Sequence, residues 1–212
     1  MEINQAIAEY GKIPIPNYVM KWILKDYRQP NDKIKNLVKD NLLIPVRRGL
    51  YIPGPLIMQR QPDPFLIANH ILGPSYVSFE SALSYYSLIP EKVYTIISAS
   101  TKASRTFYTK IGIFGYTKLS LPYYSFGIRS VELIRNQRFL IASPEKALFD
   151  KIITTTGIEF RSKKATLEYL EDDLRIDLDM LKSLDISAMN EWISSAPKKQ
   201  TLQMLLETIK EL

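Results

Sequence analysis

The sequence contains no cysteine and only one histidine, His70. Without cysteine, the protein can have no disulfide, no thiol nucleophile and no Cys-ligated zinc or iron–sulfur site. With a single histidine, it can have neither a two-His metal site nor the H-E-x-x-H motif. His70 lies in a short apolar segment, where a structural histidine is more common than a general base. We therefore expect neither a metal site nor a cofactor.

Long apolar runs and nucleotide-binding loops are also missing. No run approaches the roughly 18 residues that a membrane-spanning helix needs. The first residues, MEINQAIAEYGKIP, lack the basic flank and apolar segment of a signal peptide. Neither G-x-x-x-x-G-K-S/T nor G-x-G-x-x-G occurs. These absences favour a soluble, cytoplasmic protein with no membrane partner.

The charge of the chain is unevenly distributed. The composition is that of a globular protein, with 46% hydrophobic and 24% charged residues among 212. Residues 1–60 carry ten Lys and Arg against five acids, whereas residues 161–212 carry eight against ten. A basic N-terminal part predicts an anionic partner. Nucleic acid is the first candidate, and an anionic membrane surface is the competitor.

Three short helices are predicted near the N-terminus. Apolar residues recur at helical spacing over 3–10, 17–25 and 31–41, with Gly11 ending the first helix. Asn17 is predicted to cap the second helix. The apolar stripe of the third helix leaves a polar and basic outer face. That face consists of Asn31, Lys33, Lys35, Asn36 and Lys39.

A hairpin is predicted directly after these helices. Residues 42–46 and 50–52 have the character of strands, and Arg47-Arg48-Gly49 forms the turn, with Gly49 supplying a positive φ. Three helices followed by a hairpin predict a winged helix-turn-helix, whose third helix enters the DNA major groove. The tip of the hairpin, or wing, then reaches phosphates or the minor groove. The alternatives are a solvated basic helix with a charged turn that blunts a sheet edge, and a winged helix that binds only protein.

The remaining chain predicts a second, larger domain. Four prolines within residues 53–65 predict a linker, which separates a winged helix over 1–55 from an α+β domain over 60–212. Short strands are predicted at 93–99, 105–109, 113–119 and 138–142, with a further β-rich run around 123–134. Set among helices, they predict an antiparallel sheet. From about residue 162 the tail is predicted to be helical. The fold class is therefore α+β.

Two serines are predicted to cap helices of this domain, Ser78 and Ser143. Ser143-Pro144-Glu145-Lys146 also matches S-x-x-K, the nucleophile motif of penicillin-binding enzymes, but the companion motifs S-D-N and K-T-G do not occur. A helix start with a serine cap, a proline and an acid explains the same residues without catalysis.

A nucleic-acid-processing enzyme is the alternative of another class. Its metal ions would be held by carboxylates such as Glu80, Glu145 and Asp150, with Glu91 as a further candidate. No Glu-x-Lys triplet of the restriction-nuclease type occurs in the chain. The sequence therefore favours a protein that is not an enzyme.

Tyrosine is abundant, with thirteen residues in the chain. Tyr85-Tyr86 and Tyr123-Tyr124, the latter with Phe126, are candidates for base stacking or for contact with a protein partner. Packing in a sheet and core is the alternative, because tyrosine is common there. We expect about half of the tyrosines to serve packing.

Several motifs together resemble the AbiEi family of antitoxins. They are Pro74-Ser75-Tyr76-Val77-Ser78 with Ser81-Ala82-Leu83, Leu88-Ile89-Pro90-Glu91, Pro144-Glu145-Lys146-Ala147-Leu148 with Asp150, and Arg48-Gly49-Leu50-Tyr51 at the wing. The resemblance extends to about residue 155, and the helical tail resembles the family only in character.

The resemblance implies a winged helix that binds operator DNA and represses its own operon. It also implies a second domain that opposes a cognate nucleotidyltransferase toxin of the AbiEii type, by direct contact or indirectly. Carried over by position, the DNA contacts are Lys33, Lys35, Asn36, Lys39, Arg47 and Arg48. The family implies no catalytic residue.

A basic, tyrosine-rich surface around Arg105, Lys110 and Lys118 is the predicted antitoxin surface. A third possible class is a winged-helix regulator whose second domain senses a small ligand. Co-expression with the toxin separates the two, because only an antitoxin restores growth.

Overall fold

Two β-sheets organise the computed structural model, which describes residues 2–133 and 137–212. The N-terminal part combines three helices with a three-stranded antiparallel sheet of order β1-β3-β2. Its elements are α1 (Ile3–Tyr10), β1 (Ile15–Pro16), α2 (Asn17–Ile23), α3 (Pro30–Lys39), β2 (Leu43–Arg47) and β3 (Leu50–Pro53).

The N-terminal helices form where apolar residues recur at helical spacing. Ile34 and Leu37 anchor α3, Pro30 occupies its first turn and Asp32 lies near its positive end. The predicted cap of α2 was wrong. Asn17 is the first helical residue, Pro16 precedes it, and no side chain caps this helix.

The second part contains a six-stranded sheet with helices on it. Its order is β6-β7-β5-β4-β9-β8. The elements are α4 (Pro64–Ile71), β4 (Ser75–Val77), α5 (Phe79–Tyr85), β5 (Thr95–Ser100), β6 (Arg105–Thr109), β7 (Gly112–Lys118), a 3₁₀ turn (Tyr123–Ser125), β8 (Ile128–Glu132), β9 (Arg138–Ala142) and α6 (Pro144–Thr154).

Most strand pairs are antiparallel, so the α+β prediction is confirmed. Two pairs differ from the predicted antiparallel pattern, because β5 pairs with β7 and β4 pairs with β9 in parallel. The first difference arises because the β6–β7 hairpin places its second strand beside β5 and leaves β6 at the edge. The strand predicted up to residue 134 ends at Glu132, and Ile134 lies outside the described residues.

The C-terminal tail is helical, as predicted. It consists of α7 (Lys163–Glu168), a π-helical turn (Tyr169–Asp173), α8 (Leu178–Leu181), α9 (Ile186–Ile193) and α10 (Lys199–Lys210). Ser162, Asp177 and Asp185 accept backbone hydrogen bonds at the starts of α7, α8 and α9. Lys198 donates to the Thr155 carbonyl at 2.6 Å and so ties α10 to the end of α6.

Two hydrophobic cores support the fold, and the β2–β3 hairpin contributes to both. Leu43 belongs to the small core of the N-terminal helices. Val46, Leu50 and Ile52 belong instead to the large core of the second part, and they are 0–4% exposed. Burying one such side chain contributes about 1.5–3 kcal/mol. The hairpin is therefore held between the N-terminal helices and the second part.

None of the helices within residues 2–133 and 137–212 combines the length and the apolar character that crossing a bilayer requires.

Candidate functional site

The outer face of α3 presents polar and basic side chains to solvent. Asn31, Lys35, Asn36 and Lys39 are exposed, and Lys33 is half-buried. Asn31, Lys35 and Lys39 follow one another at intervals of four residues, which places them on one ridge of the helix. The buried residues on the opposite face orient this ridge outwards. The side chains that the sequence places on this face are thus accessible to a partner.

Two of these lysines already have neighbours in the N-terminal part. Lys35 Nζ lies 2.8 Å from Asp32 Oδ1, and the Asp32 carboxylate raises the pKa of Lys35. Both groups are exposed, so water and ions screen their attraction. Lys33 Nζ lies 5.3 Å from the centroid of the Tyr27 ring. Neither contact prevents the ammonium groups from meeting a phosphate.

The tip of the β2–β3 hairpin is exposed and is fixed to the start of α2. Gly49 adopts a φ of 76°, which glycine tolerates without strain. The backbone N–H of Asn17 donates to the Gly49 carbonyl at 2.8 Å. Arg47 and Arg48 are both exposed, and the pairing of the two strands is irregular between Pro45 and Arg47. Arg47 is the last residue of β2 and pairs with Leu50, so the predicted turn Arg47–Gly49 is shortened to Arg48 and Gly49. The two arginines are therefore exposed at an anchored hairpin tip.

Arg47 also lies close enough to the second part to act on Tyr116. Burial raises the pKa of Tyr116, and the positive charge of Arg47 opposes that shift. The Tyr116 hydroxyl donates to the Ala68 carbonyl at 2.6 Å. Arg47 thus lies beside the six-stranded sheet, and its strand β2 contacts β6 of that sheet.

The three residues of the predicted antitoxin surface do not form one cluster. All three are exposed, and Arg105 pairs with Tyr116, two residues before Lys118. Lys110 lies in the turn at the other end of β6, roughly 16 Å away at the rise of an extended strand. Arg105 and Lys118 thus share one end of the hairpin, whereas Lys110 lies at the other.

Some tyrosines proposed for stacking are inaccessible. Tyr123 and Tyr124 are buried in the large core, so the stacking hypothesis is wrong for them. Tyr85 is exposed and Tyr86 half-buried. Packing is predicted for about half of the thirteen tyrosines, and five are buried in the large core: Tyr76, Tyr116, Tyr123, Tyr124 and Tyr169.

A buried polar cluster around Asp150 was missed by the sequence analysis. Its carboxylate accepts hydrogen bonds from Tyr76 at 3.0 Å, Ser78 at 2.7 Å, Tyr123 at 2.9 Å and the Lys146 ammonium at 2.7 Å. The Lys146 and Asp150 side chains have no exposed surface. The signal in the sequence was a Lys and an Asp four residues apart on α6, which also carries Glu145 and Lys151.

This cluster changes the role predicted for Ser78. Ser78 stands directly before α5, but its side chain makes no capping hydrogen bond there. Its hydroxyl donates to Asp150 instead, 72 residues further along the chain. A strongly accepting carboxylate competes successfully with a backbone N–H for the hydroxyl.

The S-x-x-K segment is a helix start in the structure. Ser143 Oγ accepts from the backbone N–H of Lys146 at 3.3 Å, as predicted for a cap. The Lys146 ammonium is bound to Asp150 and lies 3.3 Å from the centroid of the Tyr123 ring. Burial lowers the pKa of Lys146 to about 8, and Asp150 opposes the shift. The arrangement ties β4, the start of α5 and α6 together.

The carboxylates proposed as metal ligands lie in separate environments. Glu80 pairs with Lys151, and Glu145 accepts from the backbone N–H of Asp185 at 3.0 Å. Asp150 is enclosed in the buried cluster. Throughout residues 2–133 and 137–212, no three His, Cys, Asp or Glu side chains stand close enough to share a metal ion.

His70 is half-buried on α4. Burial lowers its pKa, so the imidazole is neutral at physiological pH. Its position on a helix that packs against the sheet suits a structural role.

No protein-family model matches the sequence, and no curated protein matches it significantly.

Proposed function

We propose that this chain is a cytoplasmic antitoxin of the AbiEi type that binds operator DNA and represses its own operon. The resemblance described above and the basic N-terminal part support the proposal. In it, residues 1–55 are the winged helix-turn-helix that binds the duplex. Residues 60–212 oppose a nucleotidyltransferase toxin without catalysing a reaction themselves.

The order of N-terminal elements is the observation that carries the DNA-binding proposal. Helix α1 is followed by a short strand, two further helices and a hairpin, and the sheet has the order β1-β3-β2. A winged helix uses this order to present its third helix and its wing on the surface. The exposed groups on α3 and at the tip are of the types that contact nucleic acid.

Each of these groups has a distinct role in the proposed complex. Lys33, Lys35 and Lys39 neutralise backbone phosphates, which supplies most of the affinity. Asn31 and Asn36 read base edges in the major groove, where an amide pairs with adenine. Arg47 and Arg48 reach the phosphates or the minor groove beside the site.

Antitoxin activity is assigned to the second domain. Its basic groups at one end of the β6–β7 hairpin, Arg105 and Lys118, are exposed, and Lys110 adds a charge at the other end. A basic surface suits competition for an anionic substrate of the toxin as well as contact with an acidic toxin surface. Co-expression tests the assignment: the chain should restore growth to cells making the toxin, and a failure to restore growth would contradict it.

Removing both wing arginines tests the DNA-binding proposal. The substitutions Arg47→Ala and Arg48→Ala together should weaken operator binding at least ten-fold at physiological salt, because two phosphate contacts are lost. Fluorescence anisotropy with a labelled duplex measures the affinity, and thermal unfolding shows that the fold is retained. Arg161→Ala is the matched control, since Arg161 is 87% exposed and lies outside the proposed interface. Unchanged affinity in the double variant would refute the wing assignment.

A further inference from the structure

Three large aromatic side chains are exposed together on α1 and α2. Tyr18 is 74% exposed, Trp22 56% and Tyr10 38%. The Tyr10 and Trp22 rings meet edge to face, with centroids 5.6 Å apart. The other tryptophan, Trp192, is only 8% exposed. Exposing several adjacent large aromatic rings to water is unfavourable. Such a group of exposed aromatics marks a binding surface.

Lysines are interleaved with these aromatics at helical spacing. After Tyr18, the residues Lys21, Trp22 and Lys25 follow at three, four and seven positions. This spacing places all four on one stripe of α2 and the turn after it. Lys25 Nζ lies 5.9 Å from the centroid of the Trp22 ring. We call these four residues with Tyr10 the α2 stripe.

A shallow apolar groove runs through the α2 stripe. Tyr10, Tyr18, Val19 and Trp22 line it. Side chains four residues apart on a helix have Cβ atoms roughly 6 Å apart, which lets a planar ring rest against the Tyr18 and Trp22 faces. Lys21 and Lys25 are exposed at its side. The groove thus combines flat apolar faces with positive charge.

We propose that the α2 stripe binds single-stranded nucleic acid, separately from the duplex site on α3 and the wing. Unpaired bases stack on Trp22 and Tyr18, while Lys21 and Lys25 contact the phosphates between them. A duplex keeps its base faces inside the helical stack, so it cannot use these aromatic faces. Protein interfaces are depleted in lysine, and the interleaved lysines therefore favour an anionic partner.

The full-length chain and a fluorescein-labelled twelve-nucleotide oligothymidylate test the site. Titration should raise the anisotropy of the label and quench the emission of the exposed Trp22. Trp22→Ala and Tyr18→Ala should each weaken binding about five-fold or more, because each removes a stacking partner. Trp22→Phe should retain part of the affinity. Tyr94→Ala is the control, because Tyr94 is 85% exposed and lies on the second part.

The outcome is separable from that of the duplex proposal. Arg47→Ala with Arg48→Ala should leave oligothymidylate binding unchanged, whether or not it affects the duplex. Circular dichroism checks that every variant is folded. Unchanged affinity in Trp22→Ala and Tyr18→Ala would overturn the inference. The inference would also be overturned if these variants abolished only self-association, measured by sedimentation, or only binding to anionic phosphatidylserine vesicles. The stripe would then be a dimer surface or a membrane surface.

Discussion

Asp150 illustrates how one side chain can hold distant elements together. Its donors come from β4, the residue before α5, the 3₁₀ turn and α6, and all are buried. A buried carboxylate is costly unless its charge is paired and its oxygens accept hydrogen bonds. Lys146 meets the first requirement, and the three hydroxyls meet much of the second. The cluster therefore constrains which packing of these elements is stable.

Removing the charge of Asp150 should destabilise the protein strongly. Asp150→Asn leaves the Lys146 ammonium buried without an anion, and breaking a buried pair in this way costs about 3–5 kcal/mol. Urea denaturation at neutral pH measures the loss. Asp179→Asn is the control, because its pair with Lys182 is exposed and its loss should leave stability almost unchanged. A loss below about 1 kcal/mol in Asp150→Asn would show that the pair is not desolvated as described.

Stability should also depend on pH through Lys146. Burial lowers the pKa of Lys146 to about 8 from its ordinary 10.5. Between these values the unfolded chain binds more protons than the folded chain, so stability rises with pH. We expect the free energy of unfolding to increase by about 2 kcal/mol between pH 7 and pH 9.5.

The tyrosines limit this rise at higher pH. Burial raises the pKa of Tyr76 and Tyr123, so above about pH 10 the unfolded chain loses its tyrosine protons first and stability falls. Urea denaturation across this pH range measures both the rise and the fall in stability. The double variant Lys146→Met with Asp150→Asn should lack the rise. An equal rise in the double variant would assign the effect to other groups.

Helix α3 carries the proposed contact with DNA. Each lysine that neutralises a phosphate should contribute about 0.9 to the slope of log affinity against log salt concentration. Lys35→Gln with Lys39→Gln should therefore make that slope shallower by about two. Titration of a duplex at several salt concentrations measures it. Lys210→Gln, at the exposed end of α10, is the control and should leave the slope unchanged; an equal change in this control would contradict a role specific to α3.

Elements with a clear local pattern were predictable from the sequence. The bounds of α1, β6 and β9 agree with the prediction because each has its own periodicity or cap. Strands β1 and β4 were missed because they have two and three residues, too few for an alternation to appear. Their existence depends on partners such as Leu50 for Pro16 and Ile141 for Val77.

The candidate site was only partly predictable for a similar reason. Exposure of the α3 side chains follows from the helical stripe, which a local pattern encodes. The position of Arg47 beside Tyr116 depends on how the hairpin packs against the sheet that contains β7, although Tyr116 is 69 residues further along the chain. No local pattern carries that information. The hydrogen bond of the Ser78 hydroxyl was also unpredictable, because its acceptor, Asp150, lies 72 residues further along the chain.

The β2–β3 hairpin couples the N-terminal part to the second part. Val46, Leu50 and Ile52 belong to the large core. A fragment of residues 1–58 would expose these three side chains, at a cost of about 1.5–3 kcal/mol each. We expect the fragment to unfold at a lower temperature than the full chain and to bind a hydrophobic dye.

Thermal unfolding and dye fluorescence of the fragment check this coupling. Val46→Thr with Ile52→Thr in the fragment should reduce dye binding, because it removes exposed apolar surface. A fragment that is as stable as the full chain and binds no dye would show that the hairpin does not depend on the second part.

Lysine acetylation followed by mass spectrometry, with and without operator duplex, tests the proposed interface most directly. The account predicts that duplex protects Lys33, Lys35 and Lys39 from acetylation and leaves Lys164 and Lys210 at the acidic C-terminal part unaffected. Protection confined to lysines of the second part, with α3 equally reactive in both samples, would contradict it.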